Sequence, residues 1–563
     1  MTLIYSGLFR KSAPLMKSEP LRQKTFSLTR DHVLYIAVLL IFLGRAGFLL
    51  TNSLLEGRLS FPPPYDDITY FVDALRRLRL FNEEGTAALL HDLYATPVHA
   101  PLSLLLGFLG FGLFGAREFA PYLLNAVVIS ICVASLIKLS RIELSHGILI
   151  AAIVSFLPFN DWAITFFHPD LLAGLITATF CTALLAGKLS SYQSKTALLM
   201  GVFAGIGILS KPTAFPVVLA LYGTTALTIL ASYYLELKRQ KSAFLINRKA
   251  LFNTVLLTAA AICVIAPYFL VNGKRLLAYI HMALVDHQVV AGVEGSFWHQ
   301  ATYYAININY FMGVSVFVLA LCLVFLFAVN LSRKEDTVRI IASLIVIGIV
   351  AYIITSLPKV KLTIFGCYIY GIAIALLIVS LSGVVKWLEL RSLKIANILL
   401  ASAFLYIVYN YKDIQYRPDK RLIVAENSYY SEVSAILLPR FVDSSVPAKP
   451  VPLVFLLYPW PVPPGVFTFN LLRGGVKLDE IANLNWATAD IIKPDFDTYV
   501  RTFNRANLII IPSDGAITEM AEHYPVNALV PELNRYLRER TEFQLIHTVE
   551  TSYGQIFVYQ HGD

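Results

Sequence analysis

Charge is scarce in this chain. Asp, Glu, Lys and Arg make up only 15% of its 563 residues, while 57% are hydrophobic. Ordinary soluble domains carry roughly a quarter charged residues, so this composition excludes a soluble globular protein of the usual kind. The formal charge of +9 does not point to nucleic acid, because the basic residues sit mostly between apolar blocks. That placement follows the positive-inside rule of membrane proteins. Cysteine is scarcer still. Cys132, Cys181, Cys263, Cys322 and Cys367 all fall inside apolar segments, with no CxxC or Cys/His spacing, which excludes a disulfide framework and a cysteine zinc site. No repeat of 20–50 residues is present. The segments expected outside the cell lack an Asn-x-Ser/Thr sequon, which favours a bacterial plasma membrane over the endoplasmic reticulum.

What the chain does have is a succession of apolar blocks long enough to cross a bilayer. They predict about eleven spans, near 33–51, 119–138, 146–158, 170–187, 196–210, 214–234, 251–271, 309–331, 338–357, 363–385 and 395–411. Residues 1–31 form a basic tail with Arg10, Lys11, Lys17, Arg22, Lys24 and Arg30, and no cleavage pattern follows the first apolar run. The first span is therefore expected to be retained, with the N-terminus in the cytoplasm. Later basic clusters agree with that start: Lys138 and Arg141, Lys188 and Lys195, Arg333 and Lys334, Lys386 and Arg391. An odd number of spans places the C-terminal region outside. The apolar stretch 101–115 is short and Gly-rich, and counting it as a span would spoil the charge pattern. It reads as an external juxtamembrane or re-entrant helix resting on protein.

From about Tyr411 the composition turns mixed polar. β-type runs at 508–511, 543–548 and 555–559, and a helical pattern at 531–540, predict a soluble α/β domain. The expected fold is an α-helical polytopic membrane protein in three parts: a tail (1–31), a transmembrane part (32–411) with its first external loop at 52–118, and an external soluble α/β domain (412–563).

Three features of the expected outer face carry chemistry. In FPPPYDDITYF, Asp66 and Asp67 follow a rigid Pro62–Pro64 run and open an amphipathic helical stretch. Neighbouring side chains at a helix start point apart, so one carboxylate is available for chemistry while the other binds a metal or a neighbour. The plainer alternative is helix capping. In TPVHAPLS, His99 stands at the expected water–lipid boundary ahead of the juxtamembrane helix. In FNDWAITFFHPDLLAGL, Asp170 enters a span two residues after His168. A carboxylate there is expected to face a protein cavity or an ion rather than lipid, although Pro-Asp is also an ordinary helix opening. Sugar transfer needs such a set, with a carboxylate base for the acceptor hydroxyl and cations for a departing phosphate.

The order and sidedness of these motifs resemble the GT-C superfamily of glycosyltransferases, in the branch of protein O-mannosyltransferases and lipid A aminoarabinose transferases. The resemblance covers residues 33–385. It rests on Asp66-Asp67 with Tyr70 following, on His99-Ala100-Pro101-Leu102 before the juxtamembrane helix, on Asp170, on GVFAGIGILSKP ending at Lys211, and on LPKVKLTIFGCYIYG with Lys359 and Lys361. His99 stands where aminoarabinose transferases usually have Lys, and Thr69 where they often have a basic residue.

The resemblance implies a polyprenyl-phosphate-linked sugar donor and a glycan, lipid or protein acceptor. It implies Asp66 as general base, Lys211 with Lys359, Lys361 or His99 near the phosphate, and Asp67 and Asp170 shaping the site or holding a divalent cation. Tyr70 and His168 join the substrate-facing set. The external segment 272–308, with His281, Asp286, His287, Glu294, Trp298 and His299, is expected to cover the cavity; its histidine spacing matches no standard metal pattern. Alternative readings are a polysaccharide ligase or polymerase and a lipid-linked sugar transporter or flippase, although transporters usually carry their charges near the bilayer midplane.

Overall fold

In the computed structural model, the structure describes residues 29–60, 65–95, 100–187, 193–240, 248–281, 296–330, 336–411, 431–439, 451–455, 465–475, 481–483, 495–514, 525–551 and 554–562. The basic tail before residue 29, His99, Asp286, His287 and Glu294 lie outside them, as does the side chain of Asp66.

The membrane part runs through α1 (Arg30–Glu56), α2 (Tyr65–Ala95), α3 (Pro101–Phe114), α4 (Ala120–Ser140), α5 (Leu144–Ser155), α6 (Pro158–Thr165), α7 (Pro169–Ala186) and α8 (Ser194–Ser210). It continues through α9 (Phe215–Gln240), α10 (Arg248–His281), α11 (Phe297–Met312), α12 (Ser315–Asn330), α13 (Asp336–Ser356), α14 (Cys367–Glu389) and α15 (Leu393–Tyr409). Among the described residues, seven helices are long and apolar enough to cross a membrane, or nine if each of two bent pairs is one span. The shorter apolar helices α8 and α15 fall on the remaining expected spans, and α3 falls on the expected juxtamembrane helix. The protein is an integral membrane protein.

Two expected spans are broken. The stretch 146–158 ends at Ser155 and turns by 69° into α6, because Pro158 cannot continue the preceding helix. The stretch 309–331 is divided between α11 and α12, which meet at 102°. Gly313 sits at that break with φ +55, a backbone geometry costly for any other residue, and lies against Pro158. The two breaks therefore pack on each other.

Helices α7 and α14 are buried at the centre of the bundle, whereas α10 is largely exposed at its periphery. The central pair crosses at Gly174 and Gly371. A side chain at Gly174 would overlap the Cys367 carbonyl, and one at Gly371 the Gly174 carbonyl. Small residues permit such backbone contact between membrane helices. Gly174→Val is expected to lower the melting temperature in detergent sharply, since overpacking against fixed backbone costs about 1–3 kcal/mol or more. An unchanged melting temperature would contradict this crossing.

The C-terminal region contains α16 (residues 431–439), α17 (Gly465–Arg473), α18 (Phe496–Phe503) and α19 (Val530–Glu539). Its five-stranded sheet has the order β2-β1-β3-β5-β4, built from β1 (Val451–Phe455), β2 (Ile481–Asn483), β3 (Leu508–Pro512), β4 (Phe543–Thr551) and β5 (Gly554–His561). β2, β1 and β3 are parallel; β5 runs antiparallel to β3 and to β4. Strand alternation sends Ile509, Ile511 and Tyr559 to a core shared with α18 and α19. Leu508, Ile510 and Val558 join the core that continues into the membrane helices.

Candidate active site

Both expected carboxylate loops meet at one end of the bundle, where α1 ends and α4, α7 and α14 begin. Asp67 lies in the first turn of α2 and is 0% exposed. Its Oδ2 accepts the Tyr122 hydroxyl at 2.7 Å and the Phe167 backbone N–H at 3.0 Å. One carboxylate thus fastens the start of α2 to the start of α4 and to the segment before α7. Hydrogen bonds to a buried charge are stronger than neutral ones. An aromatic nest surrounds this anchor: Phe71 packs edge-on against Phe111, Tyr122 and Phe167, and Tyr70 meets Phe167 at 6.2 Å. Asp66 shares the turn.

Three residues beyond Phe167, Asp170 is 1% exposed in the first turn of α7. Its carboxylate pairs with the Lys211 ammonium and with the His168 imidazole. Lys211 follows α8, whose glycines let it lie close to α10: Gly201 abuts the Leu257 carbonyl and Gly205 abuts Val264. The Lys211 ammonium also lies 4.5 Å from the centre of the Phe365 ring. It is therefore a paired cation held over an aromatic face, which differs from a lysine reaching for water at a span end.

Phe365 belongs to the turn ahead of α14 that also carries Lys361. Lys361 is 3% exposed and donates to the carbonyls of Ser356 at 2.6 Å and Thr355 at 3.4 Å. Burial pulls its ammonium down to about 8. Lys359, two residues earlier, is exposed. Contacts thus join Asp67 to Phe167, and Asp170 to Lys211 and Phe365, with Asp170 three residues after Phe167 and Phe365 four after Lys361. His281, Trp298 and His299 stand exposed on α10 and α11. Asp67 Oδ2 thus meets two hydrogen-bond donors, and the Asp170 carboxylate an ammonium and an imidazole. Among the described residues no group of three or more His, Cys, Asp or Glu is gathered for a metal.

Several polar residues at this end went unnoticed in the sequence. Arg45, inside the apolar run of α1, bonds Asp161 at 2.8 Å, and the Tyr411 hydroxyl donates to the same carboxylate at 2.5 Å. The Arg45 guanidinium lies 4.6 Å from the ring centres of Phe156 and Tyr411. In α2, Gly85 has φ +84 and folds the helix back on itself. Asp92 on the returning arm bonds Arg76 at 2.6 and 2.7 Å and pairs with Arg77 at 2.8 Å. Burial raises Asp73 beside them, against the lowering pull of Arg77 and Arg76. Sequence signals existed only for charges that broke an apolar pattern; Tyr122 gave none.

The structure thus combines a bent-helix membrane bundle, a folded-back first loop and carboxylates from two loops at one end. Residues 98–239, which include Asp161, His168, Asp170 and Lys211, match the family model for dolichyl-phosphate-mannose-protein mannosyltransferase. The structure is similar to ArnT from Cupriavidus metallidurans bound to undecaprenyl phosphate, with a TM-score of 0.53 at 12% identity over 94% of this chain and 97% of that one. Against the apo state of ArnT the TM-score is 0.51 at 14% identity, with the same coverage. The archaeal oligosaccharyltransferase AglB from Archaeoglobus fulgidus, in complex with an inhibitory peptide and a dolichol-phosphate, gives 0.48 at 13% identity over 94% of this chain and 74% of that one. At such identities the likeness to ArnT is one of fold alone. No curated protein matches the sequence.

Proposed function

We propose that this protein is a membrane glycosyltransferase that moves a sugar from a polyprenyl-phosphate donor to a hydroxyl acceptor. The reaction takes place on the non-cytoplasmic face of a bacterial plasma membrane, with the N-terminus inside and residues 412–563 outside. The observation that carries this reading is the Asp67 anchor: by bonding Phe167 it brings the acidic turn of α2 beside the Asp170–Lys211 pair. The match at residues 98–239 and the fold shared with an undecaprenyl-phosphate-bound ArnT support the donor class.

Asp66 acts as general base. The acceptor oxygen bonds to the anomeric carbon in line as the bond from that carbon to the phosphate oxygen breaks. The transition state is oxocarbenium-like. The acceptor proton passes to Asp66, and polyprenyl phosphate leaves with the electron pair, its charge met by Lys211 and Lys361. Purified protein incubated with polyprenyl-phosphate sugars tests the reading: sugar transfer to an acceptor supports it, and vectorial movement of the intact donor without bond cleavage sinks it in favour of a transporter.

The lowered Lys361 ammonium gives a pH signature. Lys361 is cationic below about 8 and neutral above it. If it helps hold the donor phosphate, donor KM rises as pH passes 8. Lys361→Arg, which stays charged, is expected to flatten that rise. The folded protein binds fewer protons than the unfolded chain between about 8 and the ordinary lysine value of 10.5. The lysine therefore adds stability as pH climbs through that window. A donor KM that ignores pH from 7 to 9 would remove Lys361 from the donor site.

A further inference from the structure

The region after the last span bears directly on the acidic turn. α17, only nine residues long, buries Val466, Phe467, Thr468, Phe469, Leu471 and Leu472. An exposed amphipathic helix would bury one stripe; this one is covered on two sides. On one side Asn470 donates to Ser434 of α16 at 3.3 Å, and Gly474 lies against Leu438. On the other side the Phe469 ring lies 5.9 Å from both Phe71 and Phe111. At its start, Gly465 touches Ile68, the residue that follows Asp67. A side chain placed at Gly465 would approach the Ile68 Cγ2 to 3.0 Å. Arg473 at its end bonds Glu118 at 2.6 Å, an exposed pair that adds little by itself.

The first turn of α2 is therefore gripped from both sides. Asp67 is tied inward to Tyr122 and Phe167, while Ile68 and Phe71 are pressed by Gly465 and Phe469. We propose that α17 is a positioning element for the acidic pair, so that the C-terminal region bears on the geometry of transfer through packing. This rests on the transferase reading above. Position matters here because a general base works only within hydrogen-bond reach of its proton, and a displacement of about 1 Å costs on the order of 10²-fold in rate. The first turn of a helix has few internal hydrogen bonds to hold it. Side-chain packing supplies what the backbone lacks.

Two measurements on the full-length protein in detergent or nanodiscs test the proposal. The first needs no activity. In Phe469→Ala, amide exchange over residues 67–73 is expected to rise at least tenfold while exchange in α7 stays within twofold. Phe469→Met, which refills the space, is expected to restore protection. Unchanged exchange over 67–73 overturns the proposal. In the same variants kcat is expected to fall at least tenfold with donor KM within twofold; an equal rise in donor KM instead assigns Phe469 to general stability and also overturns it.

The second measurement is a cross-link. The Cβ position at Gly465 lies 3.7 Å from the Ile68 Cβ, the spacing a disulfide needs. The double variant Ile68→Cys, Gly465→Cys is expected to oxidise readily and to transfer sugar equally well oxidised and reduced. Failure to cross-link, or activity lost on oxidation and regained on reduction, overturns a fixed positioning contact. A parent protein that transfers no sugar defeats the transferase reading, and the exchange and cross-link results then decide the positioning contact independently.

Discussion

Asp66→Asn is expected to abolish sugar transfer while the protein still inserts, folds and binds donor. Replacing the carboxylate by an amide keeps the shape and removes the ability to accept a proton, and loss of a positioned general base costs about 10²–10⁴-fold in rate. The neighbouring acid has a different signature. Asp67 holds the Tyr122 hydroxyl and the Phe167 N–H inside the protein. Asp67→Ala strands both donors in a buried place, at about 1–3 kcal/mol for each unsatisfied group. Its melting temperature is expected to fall along with its activity, whereas Asp66→Asn leaves the melting temperature alone. Asp67→Asn keeps an acceptor oxygen and is expected to fall between them. Transfer by each purified variant at matched protein levels, beside thermal unfolding, separates these roles. Near-native transfer by Asp66→Asn, with transfer lost in Asp67→Asn at an unchanged melting temperature, moves the base one residue along. If neither matters, the pair is only a helix cap and the transferase reading fails.

The parts of this site that are legible in the sequence are those where a charge interrupts an apolar pattern. Asp170 and Lys211 each stand at the edge of a span and Asp67 opens a helix of the first external loop, and span length with loop charge suffices to gather them at one end. Their partners are another matter. Tyr122 opens α4 in a run that reads as ordinary apolar helix, and nothing local shows that its hydroxyl meets Asp67, 55 residues away. Arg45 is a visible charge inside a span, but its carboxylate, Asp161, lies in the second loop and shares that carboxylate with Tyr411. Only tertiary packing joins three such distant points.

The same limit applies to the C-terminal region. Strands β3, β4 and β5 show their β-branched runs plainly, and all three lie where the pattern put them. β1 was hidden because Pro452 normally argues against a strand inside a sheet. The register explains the exception: Pro452 pairs only with Ala482 of β2, and pairing with β3 begins one residue later at Leu453. The breaks at Pro158 and Gly313 were hidden for another reason. The expected spans 146–158 and 309–331 stop and start close to the breaks, while residues 159–165 and 297–308, more polar than the spans they join, read as external segments.

The Asp170–Lys211 pair yields the other large effect. Lys211→Ala removes the ammonium from a carboxylate that is 1% exposed. Breaking one half of a buried pair costs about 3–5 kcal/mol, because the remaining charge stays uncompensated. His168 touches the same carboxylate from its other side. Lys211→Ala is therefore expected to lose both stability and donor use. A second substitution separates the two effects. In Asp170→Asn the stranded charge is Lys211, but in Lys211→Ala with Asp170→Asn neither charge remains, so most of the stability is expected to return. Donor use should not return with it if Lys211 meets the departing phosphate. The decisive comparison is thermal stability and donor KM across the parent, both single variants and the double variant. Recovery of stability alone assigns Lys211 to the donor, whereas recovery of both reduces the pair to a clamp between the start of α7 and the end of α8.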